Sequence, residues 1–146
     1  MSAEINFKIA QEFYDDFNKK DFSRSHKRIA DNAELTVVPF NMKLWGGEGY
    51  LQMVQRWADA FPDGYCDVQN IYACEDWVVG EFIGKGTHTG ILMSPNGQIS
   101  PTGKKVEIHF CDVIKIKDGK VVSINSYFDS TTMMHQLGIL HEVNHQ

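Results

Sequence analysis

The feature that most constrains this chain is the stretch 106–129, VEIHFCDVIKIKDGKVVSINSYFD. Two runs of strand-forming residues flank Lys117-Asp118-Gly119-Lys120. Asp-Gly at the centre predicts a two-residue type I′ turn, because both central positions need positive φ. Alternation along the first strand puts Val106, Ile108, Phe110, Asp112, Ile114 and Ile116 on one face. The other face, Glu107, His109, Cys111, Val113, Lys115 and Lys117, is mixed. On the second strand the apolar row is Val122, Ile124, Ser126 and Phe128. Each row therefore holds one polar residue, Asp112 in the first and Ser126 in the second. A strict two-residue turn sets Asn125 opposite Asp112, and only a bulge brings Ser126 there.

The rest of the chain supplies helices and more strands. Ile9, Phe13 and Phe17 recur at four-residue spacing, with Ala10 and Tyr14 beside them, which predicts a helix over residues 4–19. A short helix is expected over 21–29, with Phe22, His26 and Ile29 inward and Asp31-Asn32 breaking it. Residues 33–40 read as a strand ending at Pro39, and 41–48 as a loop. Tyr50, Val54, Trp57 and Phe61 form the stripe of a helix over 50–61, closed by Pro62-Asp63-Gly64. Two strands follow, 65–74 and 77–89, with Glu75-Asp76 as the turn. Gly80, Gly84 and Gly86 share one phase of the second, which predicts a bend or a close approach to its backbone. Residues 90–104 read as irregular, with a tight turn at Pro95-Asn96-Gly97. After the hairpin, Asp129 is the expected N-cap of a helix over 130–137, and Gly138 ends it. The tail from Ile139 is expected to fray. The expectation is one α+β domain over 1–146: a strongly curved antiparallel sheet packed against the N-terminal and middle helices, with a short C-terminal helix. A sheet curved in this way encloses a cavity, a common small-molecule site.

The bulk numbers narrow the partners. A net charge of −5 without a block of like charges offers no footprint for nucleic acid or anionic lipid. No apolar run approaches the roughly 20 residues of a membrane span, and MSAEINFK has no signal-peptide core. Cys66, Cys74 and Cys111 are odd in number and lack metal-type spacing, so reduced thiols in the cytoplasm are expected. His135, His141 and His145 lie close together, but a solvated tail is a poor frame for zinc, and no metal site is expected.

Asp112 is the sharpest candidate for chemistry. Burial on an apolar strand face raises a carboxyl pKa and makes the group a usable proton carrier near neutrality. The other placements are a bulge that turns it outward, or a carboxylate satisfied by Tyr, Trp or backbone donors. Ser126 is a candidate hydrogen-bond partner, or a small residue leaving room. His88 shares a phase with Gly80, Phe82, Gly84 and Gly86, and either donates at a cavity mouth or anchors the following loop. Phe13, Phe17, Phe40, Trp57, Phe61, Ile108, Phe110 and Phe128 are candidates for a core, a pocket wall, or both.

Taken in order, three pieces resemble the SnoaL-like polyketide cyclase family, of the nuclear-transport-factor-2-like (cystatin-like) α+β cone superfamily. They are Gly86-Thr87-His88-Thr89-Gly90, then Pro101-Thr102-Gly103-Lys104 before an apolar strand, then Asp118-Gly119-Lys120 with Asp129 and Gln136-Leu137-Gly138. Phe17-Asn18 in the first helix fits too, and the likeness covers about the whole chain. The resemblance implies an intramolecular aldol ring closure without a cofactor, with an Asp on the last strand as acid/base and a His on its neighbour. Counted from the shared Asp-Gly and Gln-Leu-Gly, those positions hold Ser126 and Asp112. The expected function is therefore binding of a mostly apolar, carbonyl-containing small molecule in the cone. Acid/base cyclisation or isomerisation would follow through Asp112, with Ser126, Asn125, Tyr127 or Trp57 polarising an oxygen. The alternative is a binding module of the same fold without catalysis, because the family's acid/base position is Ser126. A homodimer through the open sheet face is the expected assembly.

Overall fold

A computed structural model describes residues 2–139. Its elements are α1 (Ser2–Lys19), α2 (Ser23–Lys27), β1 (Ile29–Val37), β2 (Met42–Trp45), α3 (Gly46–Ala60), β3 (Tyr65–Cys74), β4 (Trp77–Thr87), β5 (Leu92–Ser94), β6 (Gly97–Ile99), β7 (Lys105–Lys117), β8 (Lys120–Phe128) and α4 (Ser130–Gln136). Six strands form a curved sheet in the order β2-β1-β8-β7-β4-β3, and β5-β6 make a separate ribbon. β1 and β8 run parallel, while the other neighbours are antiparallel. This is the α+β architecture the sequence implies, with helices on the inner face of a mostly antiparallel sheet. Among the described residues no helix is long and apolar enough to cross a membrane.

The β7–β8 hairpin closes as its sequence requires, with Asp118 at φ +52° and Gly119 at φ +75°. Its ladder carries the bulge. Ile116 pairs with Val121 but Lys115 pairs with Ser123, so Val122 is the extra residue and Ser126 lies opposite Asp112. The slip also changes which side chain enters the core near the turn. Val121 is buried, where strict alternation expects Val122. A second bulge, at Gln69, interrupts the β3–β4 ladder between Val68 and Asn70. Bulges increase local twist and bend the strand that carries them, which helps the sheet curl.

Helix α1 lies across β3 and β4 through Ile9, Ala10, Phe13 and Tyr14, all buried. Burying side chains the size of Ile9 and Phe13 contributes roughly 1.5–3 kcal/mol each. Asn6 donates to the Glu75 carbonyl at 2.9 Å and fixes the start of the helix over the β3–β4 turn. At its other end Asp16, 5% exposed, accepts from Arg24 at 2.7 Å and from Ser25 at 2.6 Å, which ties α1 to α2. Helix α4 is capped by Asp129, whose Oδ1 accepts from the Thr132 N–H at 3.0 Å. Gln136 then grips the backbone of Glu107 twice, at 2.8 and 3.1 Å, and fastens α4 to β7.

The structure departs from the sequence reading in several places, among them the start of α3 at Gly46 within the expected loop. Helix α2 is shorter than expected, and Asp31-Asn32 do not break it but sit within β1. They are accommodated because both are exposed and the β1–β8 register shifts between Ile29 and Glu34. Pro39 ends β1 early, in a 3-10 turn over Val38–Phe40. Residues 42–45, expected as loop, pair with β1 as an edge strand, and the stretch 90–104 contains the small β5–β6 ribbon. Both pieces of strand are too short for alternation to announce them.

Buried apolar residues fall into two clusters. One gathers Ile9, Phe13, Leu35, Tyr50, Val54, Ile114 and Ile124 under α1 and α3. The other gathers Val37, Phe40, Phe61, Val106, Ile108 and Met133 towards α4. A cavity lies between them, and its wall is drawn from both.

Candidate functional site

The inward row of β7 runs along one wall of this cavity. Its volume is about 130 Å³, and the lining includes Phe13, Phe17, Trp57, Phe61, Ile108, Phe110, Asp112 and Ser126. Asp112 therefore points in, not out. Its neighbours across the two ladders are Gly80 on β4 and Ser126 on β8. Gly80 matters because its missing side chain leaves space: a Cβ there would collide with the Tyr14 hydroxyl. Tyr14 comes down from α1 through that gap and donates to Asp112 Oδ2 at 2.8 Å.

The other carboxylate oxygen is the unusual atom. Asp112 Oδ1 is buried and accepts no hydrogen bond from the described residues. The residue keeps some accessible surface, which is surface of the cavity it lines. Asp16 provides the contrast within the same chain. That buried carboxylate is paired with Arg24 and Ser25, as buried charges normally are. Among the described residues no cation lies beside Asp112. Burial pushes its pKa up from 3.8 to about 6, and the Ser126 and Tyr14 hydroxyls hold it from rising further. A carboxyl with that pKa exchanges a proton readily near neutral pH. Burial first, and then the charge of Asp112, push the Tyr14 phenol well above its ordinary 10, so it stays protonated as a donor.

Ser126 is 8% exposed and stands beside the carboxyl, and the described residues place no histidine at its hydroxyl. Asn125 and Tyr127 alternate with Ser126 and so face the outer side of the sheet, where they reach nothing in the cavity. Two of the aromatic candidates stand behind the wall. Phe40 packs on Trp57 at 6.2 Å between ring centres, and Phe128 packs on Phe110 at 4.8 Å. They hold the lining rings in place without lining the cavity themselves.

His88 lies elsewhere. It is fully buried, and its Nδ1 accepts from the Thr102 N–H at 3.2 Å. Its backbone bonds Lys104 and Gly103 at 2.8 Å each. The imidazole thus anchors residues 102–104 against the end of β4, with the proton assigned to Nε2, and burial lowers its pKa. Asp129 is the helix cap on an exposed surface, and hydrogen bonds from Thr132 hold its pKa down. Among the described residues no group of three His, Cys, Asp or Glu side chains is placed to hold a metal. His141, His145 and the expected frayed tail from 140 onward lie outside the described residues.

Tyr14 is the site residue that sequence reasoning passes over. A signal for it exists. It is the polar-tipped member of a buried helical stripe, and a buried tyrosine hydroxyl usually needs a partner. Naming Asp112 as that partner requires the fold.

These observations agree with what the chain is similar to. A family model described as SnoaL-like polyketide cyclase matches residues 8–137. Among solved structures, AclR from Streptomyces galilaeus, a candidate hydroxylase, is 24% identical; the match covers 99% of this chain and 91% of that one, with a TM-score of 0.79. A candidate SnoaL-like polyketide cyclase from Jannaschia sp. CCS1 matches at 16% identity, 96% of each chain and a TM-score of 0.83. IdmH from Streptomyces antibioticus, a candidate polyketide cyclase, matches at 26% identity over 90% of this chain and 96% of that one, with a TM-score of 0.75. Likeness at identities below 25% shows the fold alone. No curated protein matches the sequence significantly.

Proposed function

This chain belongs to the SnoaL-like polyketide cyclase family, and we propose that it binds a mostly apolar, carbonyl-containing small molecule in the cavity and moves a proton on it through Asp112. The observation that carries this reading is the Asp112 carboxyl: buried, with no cation beside it among the described residues, one oxygen held by Tyr14, and Oδ1 accepting no hydrogen bond of ordinary geometry from them although the Ser126 hydroxyl stands near. A structural carboxylate is normally satisfied, so an unsatisfied one on a cavity wall points to work done there.

The chemistry follows from the geometry. The ionised Asp112 takes a proton from the carbon next to the ligand carbonyl, leaving an enolate. The proton returns to the same carbon, which gives exchange, or to another carbon, which gives isomerisation; or the enolate carbon attacks a second carbonyl and the alkoxide so formed takes the proton back from Asp112, which gives ring closure. No redox step and no cofactor enters this scheme. The Ser126 hydroxyl beside the carboxyl would turn from Asp112 to hold the carbonyl oxygen, whose growing charge a hydroxyl donor stabilises. The Tyr14 hydrogen bond fixes the carboxyl plane, so that Oδ1 is the reacting oxygen.

The test is wash-in of solvent deuterium next to the carbonyl of a simple ring ketone, followed by proton NMR. The wild-type protein is expected to accelerate exchange on the order of 100-fold over buffer, and Asp112→Asn to abolish the acceleration. Acceleration that survives in Asp112→Asn refutes the assignment. Ser126, at the position where the family implies its acid/base Asp, favours a second reading, a binding module without catalysis. That reading gains if ligands stabilise the fold but emerge without deuterium.

The wider setting is proposed with it: a cytoplasmic protein whose three cysteines are free thiols, assembled as a homodimer through the outer face of the sheet. Trp77 and Tyr127 are exposed on that face and favour such pairing. A molecular mass that stays monomeric across a wide concentration range removes the dimer.

A further inference from the structure

We infer that the cavity is a one-ring site: its ligand is a single six-membered ring carrying one ketone-type oxygen directed at the Asp112–Ser126 end. This deepens, and rests on, the reading of Asp112 given above, and of its outcomes it selects proton return within one ketone over ring closure, which needs a second carbonyl.

Size is the first observation. The cavity measures about 130 Å³. An apolar cavity of about 150 Å³ takes up benzene, whereas pockets for larger organic ligands run to roughly 300–1,000 Å³. The space therefore suits one ring and not a fused polycycle.

The walls are the second observation, because a small cavity could widen if its lining were loose. It is not loose. Phe110 stacks on Phe82 at 4.8 Å with 8° between the planes. It meets Trp57 edge-on at 5.8 Å. Trp57 is backed in turn by Phe40 at 6.2 Å and Phe61 at 6.4 Å. Phe110 lies against bare backbone of β4, since a Cβ on Gly84 would come within 2.8 Å of its ring. Moving one ring to admit a second ligand ring disturbs the packing of the others, and close-packed interiors resist that.

Polarity is the third. The hydroxyl and carboxyl groups of Tyr14, Asp112 and Ser126 come together on one part of the wall, the Lys85 ammonium that also lines the cavity is paired with Asp67 at 3.0 Å, and the rings of Trp57, Phe61 and Phe110 line it beside them. One oxygen at one edge of the ligand is matched. A second oxygen set against those rings would be desolvated without a partner.

The experiment compares cyclohexanone, 1-tetralone and anthrone, of one, two and three rings, binding to the full chain by isothermal titration calorimetry. Burial of more apolar area alone would favour the larger ketones. The one-ring site predicts the reverse: saturable binding of cyclohexanone, 1-tetralone weaker by about tenfold or more, and no binding of anthrone. Equal or tighter binding of 1-tetralone or anthrone overturns the inference, and so does the absence of cyclohexanone binding. In Trp57→Ala, which removes the largest ring from the wall, 1-tetralone is expected to gain about tenfold; the wild-type series stands by itself if that variant does not fold. Proton transfer and the one-ring limit fail separately. Size selectivity without deuterium exchange removes the proton-transfer reading and leaves the one-ring site standing. Exchange on 1-tetralone as fast as on cyclohexanone does the opposite.

Discussion

Replacing Asp112 with Asn should make the protein more stable at alkaline pH while removing its proton-transfer group. In the folded state the Asp112 carboxyl titrates at about 6 instead of 3.8, mainly because burial disfavours the charge. A folded pKa raised above the unfolded one means that the folded form binds the proton more tightly. The favourable contribution is complete below about 4 and is lost as pH rises through 6. At 1.36 kcal/mol per pH unit, the span from 3.8 to about 6 is about 3 kcal/mol. No solvent-screening discount applies, because the side-chain oxygen concerned is buried. The Asn side chain mimics the neutral carboxyl and can still accept from Tyr14. Urea unfolding of wild type and Asp112→Asn at pH 8 should therefore show the variant more stable by up to about 3 kcal/mol, and the gap should close by pH 4. Titrations shared by both proteins cancel in the difference. A variant less stable than wild type at pH 8 would refute the reasoning, because it would mean that the ionised carboxylate is held by partners and stabilises the fold.

Other perturbations test the surroundings. Tyr14→Phe removes a donor that favours the ionised carboxyl, so the Asp112 pKa should rise further, seen by carbon-13 titration, with a stability loss of about 1–2 kcal/mol. Gly80→Ala drives a methyl group into the Tyr14 hydroxyl and against two of its ring carbons at 2.8 Å; a drop of about 1–3 kcal/mol in unfolding free energy is expected, and only the part due to the hydroxyl should disappear in the Tyr14→Phe background. Because burial lowers the pKa of His88, its neutral form stabilises the fold above pH 6.5, and that contribution is lost as pH falls through 6.5 towards the depressed value. Thermal melts of His88→Ala should consequently show lower stability at pH 8 and a weaker fall below pH 6.5 than wild type. Asp129→Ala should cost about 1 kcal/mol, the ordinary worth of an N-cap, and leave deuterium exchange unchanged.

Much of this fold can be read from the chain because the deciding signals are local. Asp118-Gly119 fixes a hairpin whatever surrounds it, the Phe13–Phe17 and Val54–Trp57–Phe61 stripes fix two helices, and Asp129 caps a third. The edge strand over residues 42–45 is hidden because it is short and stabilised by pairing with β1. The inward placement of Asp112 follows from alternation, and its pairing with Ser126 is legible only as a condition, that the hairpin carry a bulge. Val122 supplies that bulge, but nothing in its type distinguishes it from Val121. His88 shows the limit of a shared strand phase. Its position beyond Thr87 lies past the end of β4, where alternation no longer determines direction, and its ring turns to Thr102. Phe40 and Phe128 show another limit, since a stripe of aromatics does not reveal which ring meets the cavity and which supports the one that does. Tyr14 and Asp112 are 98 positions apart, and only the packing of α1 across β3 and β4, over the gap at Gly80, brings them together.

The most direct test of Asp112 as the proton-moving group is the pH–rate profile of deuterium wash-in on cyclohexanone between pH 4 and 8. The account predicts a protein-dependent rate that rises with an apparent pKa of about 6, levels off above it, and is absent in Asp112→Asn. A rate without an inflection near 6, or a profile unchanged by the substitution, would contradict it.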